Sequence, residues 1–292
     1  MNILTFDIEE WYIEKKYHNN EEWKYLKYDD TLKRLLDLLD SHSIKATFFC
    51  LGILAEEFPH VIKSISERGH EIGCHSNYHN WINQMTPDEF HLDTRKAIDS
   101  LEQLIGHKVR SYRAPAFSIG EGNKWAFEIL AEEGIENDAS VFPASRDFGG
   151  FPEFNGQDIP CKIIYNNYSI NEFPISMTTI PFIGKRIAYS GGGYFRMLPV
   201  SFVESKIKEK DYTMCYFHIA DLLDFKTKLH TRSEYELYFK ESGTLKNRLL
   251  RYAKTNLRRK HTFNGLKTLI ETFSFSSLDN ASKHIQLPIV HI

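Results

Sequence analysis

Short apolar runs alternate with amphipathic stretches along most of the chain, and the two periods predict strands and helices in turn. Residues 2–8, Asn-Ile-Leu-Thr-Phe-Asp-Ile, read as a buried strand, and residues 30–39 place leucines at helical spacing. Residues 46–51 are a second strand, ended by Gly52. A helix over 59–68 has Pro59 at its first turn and Gly69 past its end, the asymmetry expected of helix termini. Residues 70–74 form a third strand, and 86–104 a helix with Thr86 as N-cap and Pro87 at its first position. A strand over 109–113, a helix over 124–133 and an approach to a further strand over 134–138 continue the rhythm.

The βαβα order implies an α/β fold with a parallel sheet, as a barrel or in doubly wound form. Residues 145–196, rich in Gly, Asn, Phe and Pro, interrupt it and read as inserted loops and hairpins (162–165, 168–173) over one end of the sheet, where aromatic residues such as Tyr194 would face a sugar. A helix over 199–208 and a closing strand over 212–218 follow. A helical tail over about 230–292 carries a basic helix at 245–260. At 292 residues, 42% hydrophobic and 14% aromatic, the chain can bury a large core, and we expect one domain over 1–292.

Charge and cysteines narrow the chemistry. A net charge of −3 gives no global reason to expect nucleic acid as a partner. Cys50, Cys74, Cys161 and Cys215 form no Cys-x-x-Cys pair, so they read as small core residues. The first residues lack a basic, then apolar, leader, and no run approaches the roughly 20 apolar residues of a membrane span, so a cytoplasmic protein is expected. The basic tail helix reads as a solvated face, with weak peripheral contact to an anionic lipid surface as the alternative.

His75 and His79 lie four apart, a spacing that on one helical turn puts two imidazoles on one face. Thirteen histidines produce about half of one such pair by chance, so spacing alone decides little. Context adds weight, because both follow a strand end, where parallel α/β proteins place their sites. Ser76 could bond locally, and Glu71 is near enough in sequence to support the pair. Asp7 and Glu9 share one face of the first strand, so one carboxylate can bind a metal while the other takes a proton from metal-bound water. A bend at the strand end could present Glu10 instead. Two His and one carboxylate leave an open position for water whose pKa falls to about 7, although non-haem iron sites share the set. Arg113 ends a strand before Pro115 and could orient Asp7. His218 ends the closing strand and is suited to protonate a leaving amine, with Asp138 or Asp221 fixing its tautomer.

In order, Thr5-Phe-Asp-Ile-Glu-Glu-Trp11, Ala46-Thr-Phe-Phe-Cys-Leu-Gly52, Gly69-His-Glu-Ile-Gly-Cys-His-Ser-Asn-Tyr-His79, Arg113-Ala-Pro-Ala-Phe-Ser118, Asp138-Ala-Ser-Val-Phe-Pro143 and Phe217-His218 resemble the motifs of the NodB-homology polysaccharide deacetylases. Gly191-Gly-Gly-Tyr-Phe-Arg-Met-Leu-Pro199 resembles a segment of the branch found in exopolysaccharide and O-antigen clusters. The resemblance implies a distorted (β/α)7 barrel that removes acetyl from an N-acetylated sugar with a divalent metal ion, zinc being favoured by the ligand types. It implies Asp7 as base, His75 and His79 as ligands, Arg113 as the residue orienting the base, His218 as acid and Asp138 as the aspartate tuning it. The family's usual Asp-Asp is here Asp7-Ile8-Glu9, which shifts the carboxylate ligand to Glu9 with Glu10 in reserve. Ala116 replaces an aromatic residue, leaving its backbone amide to serve the oxyanion. Alternatives are a deformylase acting on a lipid-linked amino sugar and a catalytically silent glycan-binding barrel.

Overall fold

In the first strand every second side chain points the same way, and this alternation divides the core into two layers. Leu4, Phe6 and Ile8 pack outward against helices, while Ile3 joins Phe49, Phe117, Met214 and Tyr216 in a separate inner cluster. The structure is a computed structural model and describes residues 1–18, 20–146, 148–155, 157–180 and 184–292.

Strands β1 (Asn2–Ile8), β2 (Thr47–Cys50), β3 (Glu71–Cys74), β4 (Ser111–Tyr112) and β5 (Asn137–Asp138) lie side by side in chain order, all parallel. β6 (Cys161–Tyr165) and β7 (Tyr168–Glu172) form a hairpin whose second strand pairs in parallel with β5. The predicted hairpin is therefore part of the sheet and does not lie over its end. β8 (Met177–Thr179) and β9 (Arg186–Ala188) make a separate hairpin. β10 (Thr213–His218) returns in parallel to the free side of β1, and β11 (Ile289–His291) pairs with β6. The parallel run is thus β10-β1-β2-β3-β4-β5-β7. β7 and β10 do not pair with each other, and the chain around the β8–β9 hairpin spans the gap. There Met214 N donates to Ser176 Oγ (2.8 Å) and Tyr216 N to the Ser190 carbonyl (3.3 Å). The result is an open, distorted (β/α)7-type barrel.

The helices are α1 (Glu10–Tyr17), α2 (Glu22–Ser41), α3 (Gly52–Glu57), α4 (Pro59–Ser66), α5 (Pro87–Ile105), α6 (Trp125–Glu132), α7 (Gly192–Met197), α8 (Val200–Glu209), α9 (Ile219–Leu222), α10 (Arg232–Phe239), α11 (Leu245–Asn256), α12 (Arg259–Thr272) and α13 (Leu278–Ser282). Thr86 caps α5, as its sequence predicts, and Glu89 completes a reciprocal box with it. Gly52 starts α3 as well as following β2, because a side chain there would sit 2.4 Å from the Ala97 backbone of α5.

The tail is not purely helical. It ends in β11, and α13 seats Leu278 and Ala281 in the inner cluster at the base of the barrel. The expected basic helix over 245–260 breaks into α11 and α12 at Arg258, whose φ of 52° is left-handed. Its Arg259 is buried, donating to the carbonyls of Phe225 and Thr255. All four cysteines are buried and unpaired. No described helix is long and apolar enough to cross a membrane.

Candidate active site

Strand register brings the site together. Asp7 of β1 lies directly opposite His218 of β10, Cys50 opposite Cys74, and Cys74 opposite Tyr112, so the residues just beyond these positions converge at one end of the barrel. Glu9 follows β1 as the N-cap of α1, and His75 follows β3. The histidine pair is not helical, contrary to the one-turn geometry its spacing suggests. It sits in an irregular loop whose Ser76 and His79 have φ of 65° and 59°. Ser76 Oγ accepts from His79 N (3.0 Å) and holds that loop.

Glu9 Oε2 lies 2.8 Å from His79 Nε2 and 3.4 Å from His75 Nε2. His75 Nδ1 donates to the Arg113 carbonyl (2.7 Å), which leaves Nε2 as the ring nitrogen that faces Glu9. Glu9 Oε2 is thus buried between the two imidazole nitrogens. Three ligand atoms within 4.8 Å of one another fit a cation. Burial would raise the Glu9 carboxyl, but His79, His75 and His218 outweigh it and hold the group well below the usual range.

Glu10 faces elsewhere. Its Oε1 accepts from Ala220 N (2.8 Å), and burial followed by the neighbouring Glu9 charge pushes its carboxyl up to about 8. Glu71 is no partner of the histidines, because it lies at the opposite end of β3. There it accepts from Thr47 Oγ1 (2.6 Å) and Asp279 N (2.9 Å).

Asp7 Oδ1 accepts from Arg113 Nη1 at 2.8 Å. Arg113 is fully buried inside the barrel, with further bonds to Thr5 Oγ1 (2.8 Å) and the Ala139 carbonyl (3.2 Å) and its guanidinium 4.3 Å from the Phe49 ring centre. His218 Nε2 points at the same carboxylates, 3.7 Å from Asp7 Oδ2 and 3.9 Å from Glu9 Oε1. Its Nδ1 lies 3.2 Å from Asp221 Oδ2. Burial opposes the imidazolium, but Asp221, Glu9 and Asp7 together raise His218 to about 10. Asp221, held by His218 and Arg196 against its burial, falls to about 2.

Two expectations do not match this arrangement. Asp138 makes no hydrogen bond with His218; it is fully buried at the end of β5, accepting from Ser140 Oγ (2.5 Å) and Ser140 N (3.2 Å) and facing Glu172. Asp221, three residues past His218 on α9, occupies the tautomer-fixing position because the strand turns straight into that helix. Tyr194 is half-buried on α7 under Lys185 and does not line the cavity over the site, whereas Gly192 and Gly193 do. Ala116 does line it, on a sharp turn with φ of 55°.

That cavity is about 500 Å³, and aromatic residues of its wall come from α2, β10, α10 and loops. Trp81 stands against Phe148 (4.9 Å between ring centres), and Tyr238 against Tyr17 (5.1 Å). Tyr238 faces the Glu9 and Glu10 charges, which together with burial raise its hydroxyl well above the usual range. No periodicity around Tyr238 marks it for the site. Arg196 had a signal, since it lies within the glycine-rich motif.

The open parallel barrel thus gathers carboxylates, histidines and an arginine at its strand ends. The family model for polysaccharide deacetylase matches residues 3–136, so that part of the chain is a domain of that family. A second model, a domain of unknown function (DUF3473), matches residues 139–283. A peptidoglycan-N-acetylglucosamine deacetylase of Bacillus cereus is 38% identical over 96 residues, 32% of this chain and 35% of the relative. Matches to the first curated relatives span between 32% and 46% of those proteins. A crystal structure from Mycobacterium smegmatis, assigned to the polysaccharide deacetylases, superposes with TM-score 0.63 at 17% identity, covering 97% of this chain and 89% of that one. The 4-alpha-glucanotransferase of Thermococcus litoralis superposes with TM-score 0.60 at 12% identity, covering 100% of this chain and 42% of that one. At these identities the superpositions establish the fold alone, and a shared fold does not select a reaction.

Proposed function

We propose that the protein is a metal-dependent hydrolase that removes the N-acetyl group from an amino sugar in a cell-surface polysaccharide or its precursor. The observation that carries this reading is the meeting of Glu9 Oε2, His75 Nε2 and His79 Nε2 beside a buried Asp7 and a half-buried His218. Those three atoms would hold the ion, and zinc suits the donor set. Such an ion supplies a Lewis acid for the acetamide carbonyl and a water of lowered pKa.

Asp7, fixed by Arg113, accepts the proton of the attacking water. The Ala116 backbone amide donates to the oxygen that gains charge. His218, protonated at neutral pH, gives its proton to the sugar nitrogen as the C–N bond breaks, leaving acetate and a free amine. A cavity of about 500 Å³ accommodates a sugar residue. The Bacillus cereus relative, named for N-acetylglucosamine in peptidoglycan, supports an N-acetylhexosamine as the unit acted on.

Purified protein should contain roughly one divalent ion per chain, lost in His75→Ala. Acetate release from N-acetylated chitooligosaccharides should fall by about 100-fold or more in Asp7→Asn while the ion is retained. Full activity in that variant would remove Asp7 as the base. A wild-type chain without metal would favour a glycan-binding module, and formate release without acetate a deformylase.

A further inference from the structure

We infer that Arg196 is a positioning residue for proton delivery by His218, and that the carboxy-terminal half of the chain serves to build that acid side of the site. The inference rests on the deacetylase reading above.

The two oxygens of Asp221 have different occupants. Oδ2 faces His218 Nδ1 (3.2 Å) and accepts from His218 N (3.1 Å), while Oδ1 accepts from Arg196 Nη1 (3.0 Å). Arg196 is buried, 4% exposed, and its Nη2 donates to the Lys254 carbonyl of α11 at 2.8 Å. The neighbouring buried guanidinium, Arg259, is committed to the carbonyls of Phe225 (2.7 Å) and Thr255 (3.1 Å). Among the described residues, Arg196 is therefore the cation paired with Asp221 besides His218 itself.

The glycine-rich motif explains how the arginine gets there. A Cβ on Gly191 would lie 2.0 Å from the Tyr216 carbonyl oxygen, and one on Gly192, whose φ is 56°, would lie 2.8 Å from Tyr216 Oη. Only glycine lets α7 start directly on β10, two residues before His218. Phe195 then stacks edge-on against Phe217 (5.0 Å), and α12 closes over it at Gly265, where a Cβ would be 3.1 Å from the Phe195 ring. Arg196 is thus fixed from the strand, from α12 and from α11.

All of these parts, His218, Asp221, Arg196 and the Lys254 carbonyl, lie within residues 139–283, the region matched as a domain of unknown function. The cation cluster and Asp7 lie within residues 3–136. With one carboxylate oxygen held by Arg196, the other fixes the Nδ1–H tautomer and aims Nε2–H at the space beside Asp7 and Glu9. As the C–N bond breaks, its electron pair stays on nitrogen and the Nε2 proton moves to that nitrogen. The imidazole is left neutral, with Nδ1–H still on Asp221.

The test uses the full chain with two probes. An N-acetylated chitooligosaccharide has an amine leaving group that needs a proton, whereas 4-nitrophenyl acetate releases a phenolate that does not. Arg196→Met should lower kcat on the amide by about 10–100-fold with KM within about twofold, and change turnover of the aryl ester by less than about threefold. Arg196→Lys should recover part of the amide rate, and the His218 Nδ1–H resonance in ¹⁵N-histidine NMR spectra should be lost in Arg196→Met but kept in Arg196→Lys. Asp221→Asn should give the same substrate split if Arg196→Met does not fold. Equal losses on both probes, or no loss on the amide, would overturn the inference. A metal-loaded wild-type chain active on neither probe would remove the deacetylase reading and this role with it, whereas an active wild type indistinguishable from Arg196→Met removes this role alone.

Discussion

Glu9 and Glu10 are chain neighbours with opposite surroundings. Glu9 sits between strand and helix with φ −141° and ψ −20°, which turns its side chain toward the histidines, while Glu10 enters α1 and points at α9. Two adjacent carboxylates are indistinguishable in a sequence; the bend between them separates their roles. Glu9→Gln should therefore weaken zinc binding by about 100-fold in a chelator competition, and Glu10→Gln should leave it within a few-fold, about 1 kcal/mol. The opposite ranking would assign the third donor to Glu10. A second residue-scale prediction concerns acid stability. His70 is buried against Phe48, its Nδ1 accepts from Ala46 N (3.3 Å), and burial lowers its pKa from 6.5 to about 4. The folded state then binds fewer protons than the unfolded one between those values. This stabilisation is complete above pH 6.5 and is lost as pH falls toward 4, by about 3 kcal/mol at most. His230, also lowered to about 4, adds a slope of the same sign. His70→Gln should flatten the decline in urea midpoint between pH 7 and pH 5 by roughly half; an unchanged decline would show that His70 does not contribute.

At the scale of elements, the glycines before α7 differ in what they can tolerate. A Cβ at Gly191 meets the β10 backbone at 2.0 Å, whereas at Gly193 the nearest atom is the end of the Arg196 side chain at 3.7 Å. Gly191→Ala should cost about 1–3 kcal/mol in denaturant unfolding and reduce activity, while Gly193→Ala should stay within about 0.5 kcal/mol of wild type. Equal effects would mean that α7 is not seated by close approach. The strands and the longer helices of the first half were legible because each carries its own period, and 2–8 matches β1 residue for residue. α5 was legible because Thr86 and Pro87 mark its start chemically. Elements whose patterns depend on distant partners were not. β11 is three residues long with two exposed side chains, and only the edge of β6 makes it a strand. α1 has no clear apolar face of its own, burying Glu10 and Glu14 beside Trp11 and Ile13. In the site, Asp7, Arg113 and His218 were legible as strand ends. Asp221 was legible only as an alternative to Asp138, because the choice between them depends on β10 turning directly into α9.

Across the whole molecule, the two matched regions share one sheet. β10 pairs with β1 from Asn2 opposite Thr213 to Asp7 opposite His218, so one flank of the first strand is covered only by a segment more than 200 residues later. At the base of the barrel, Leu4 N donates to the Ser276 carbonyl (3.1 Å), Ser276 N to the Asn2 carbonyl (3.0 Å) and Leu278 N to Thr47 Oγ1 (2.7 Å). Cutting the chain after residue 136 would strip these backbone partners from β1 and open the inner cluster around Ile3 and Phe49 to water. Exposed strand edges and an unfilled interior both oppose independent folding. We therefore expect the full chain to unfold in one cooperative transition. A fragment of residues 1–136 should lack a cooperative transition and bind zinc at least about 100-fold more weakly, since its ligands would no longer be held in place. Calorimetry and a zinc titration of the two proteins side by side check this. A fragment that melts cooperatively and keeps the affinity of the full chain would show that the metal side of the site is built without the carboxy-terminal half, which would then contribute only the acid.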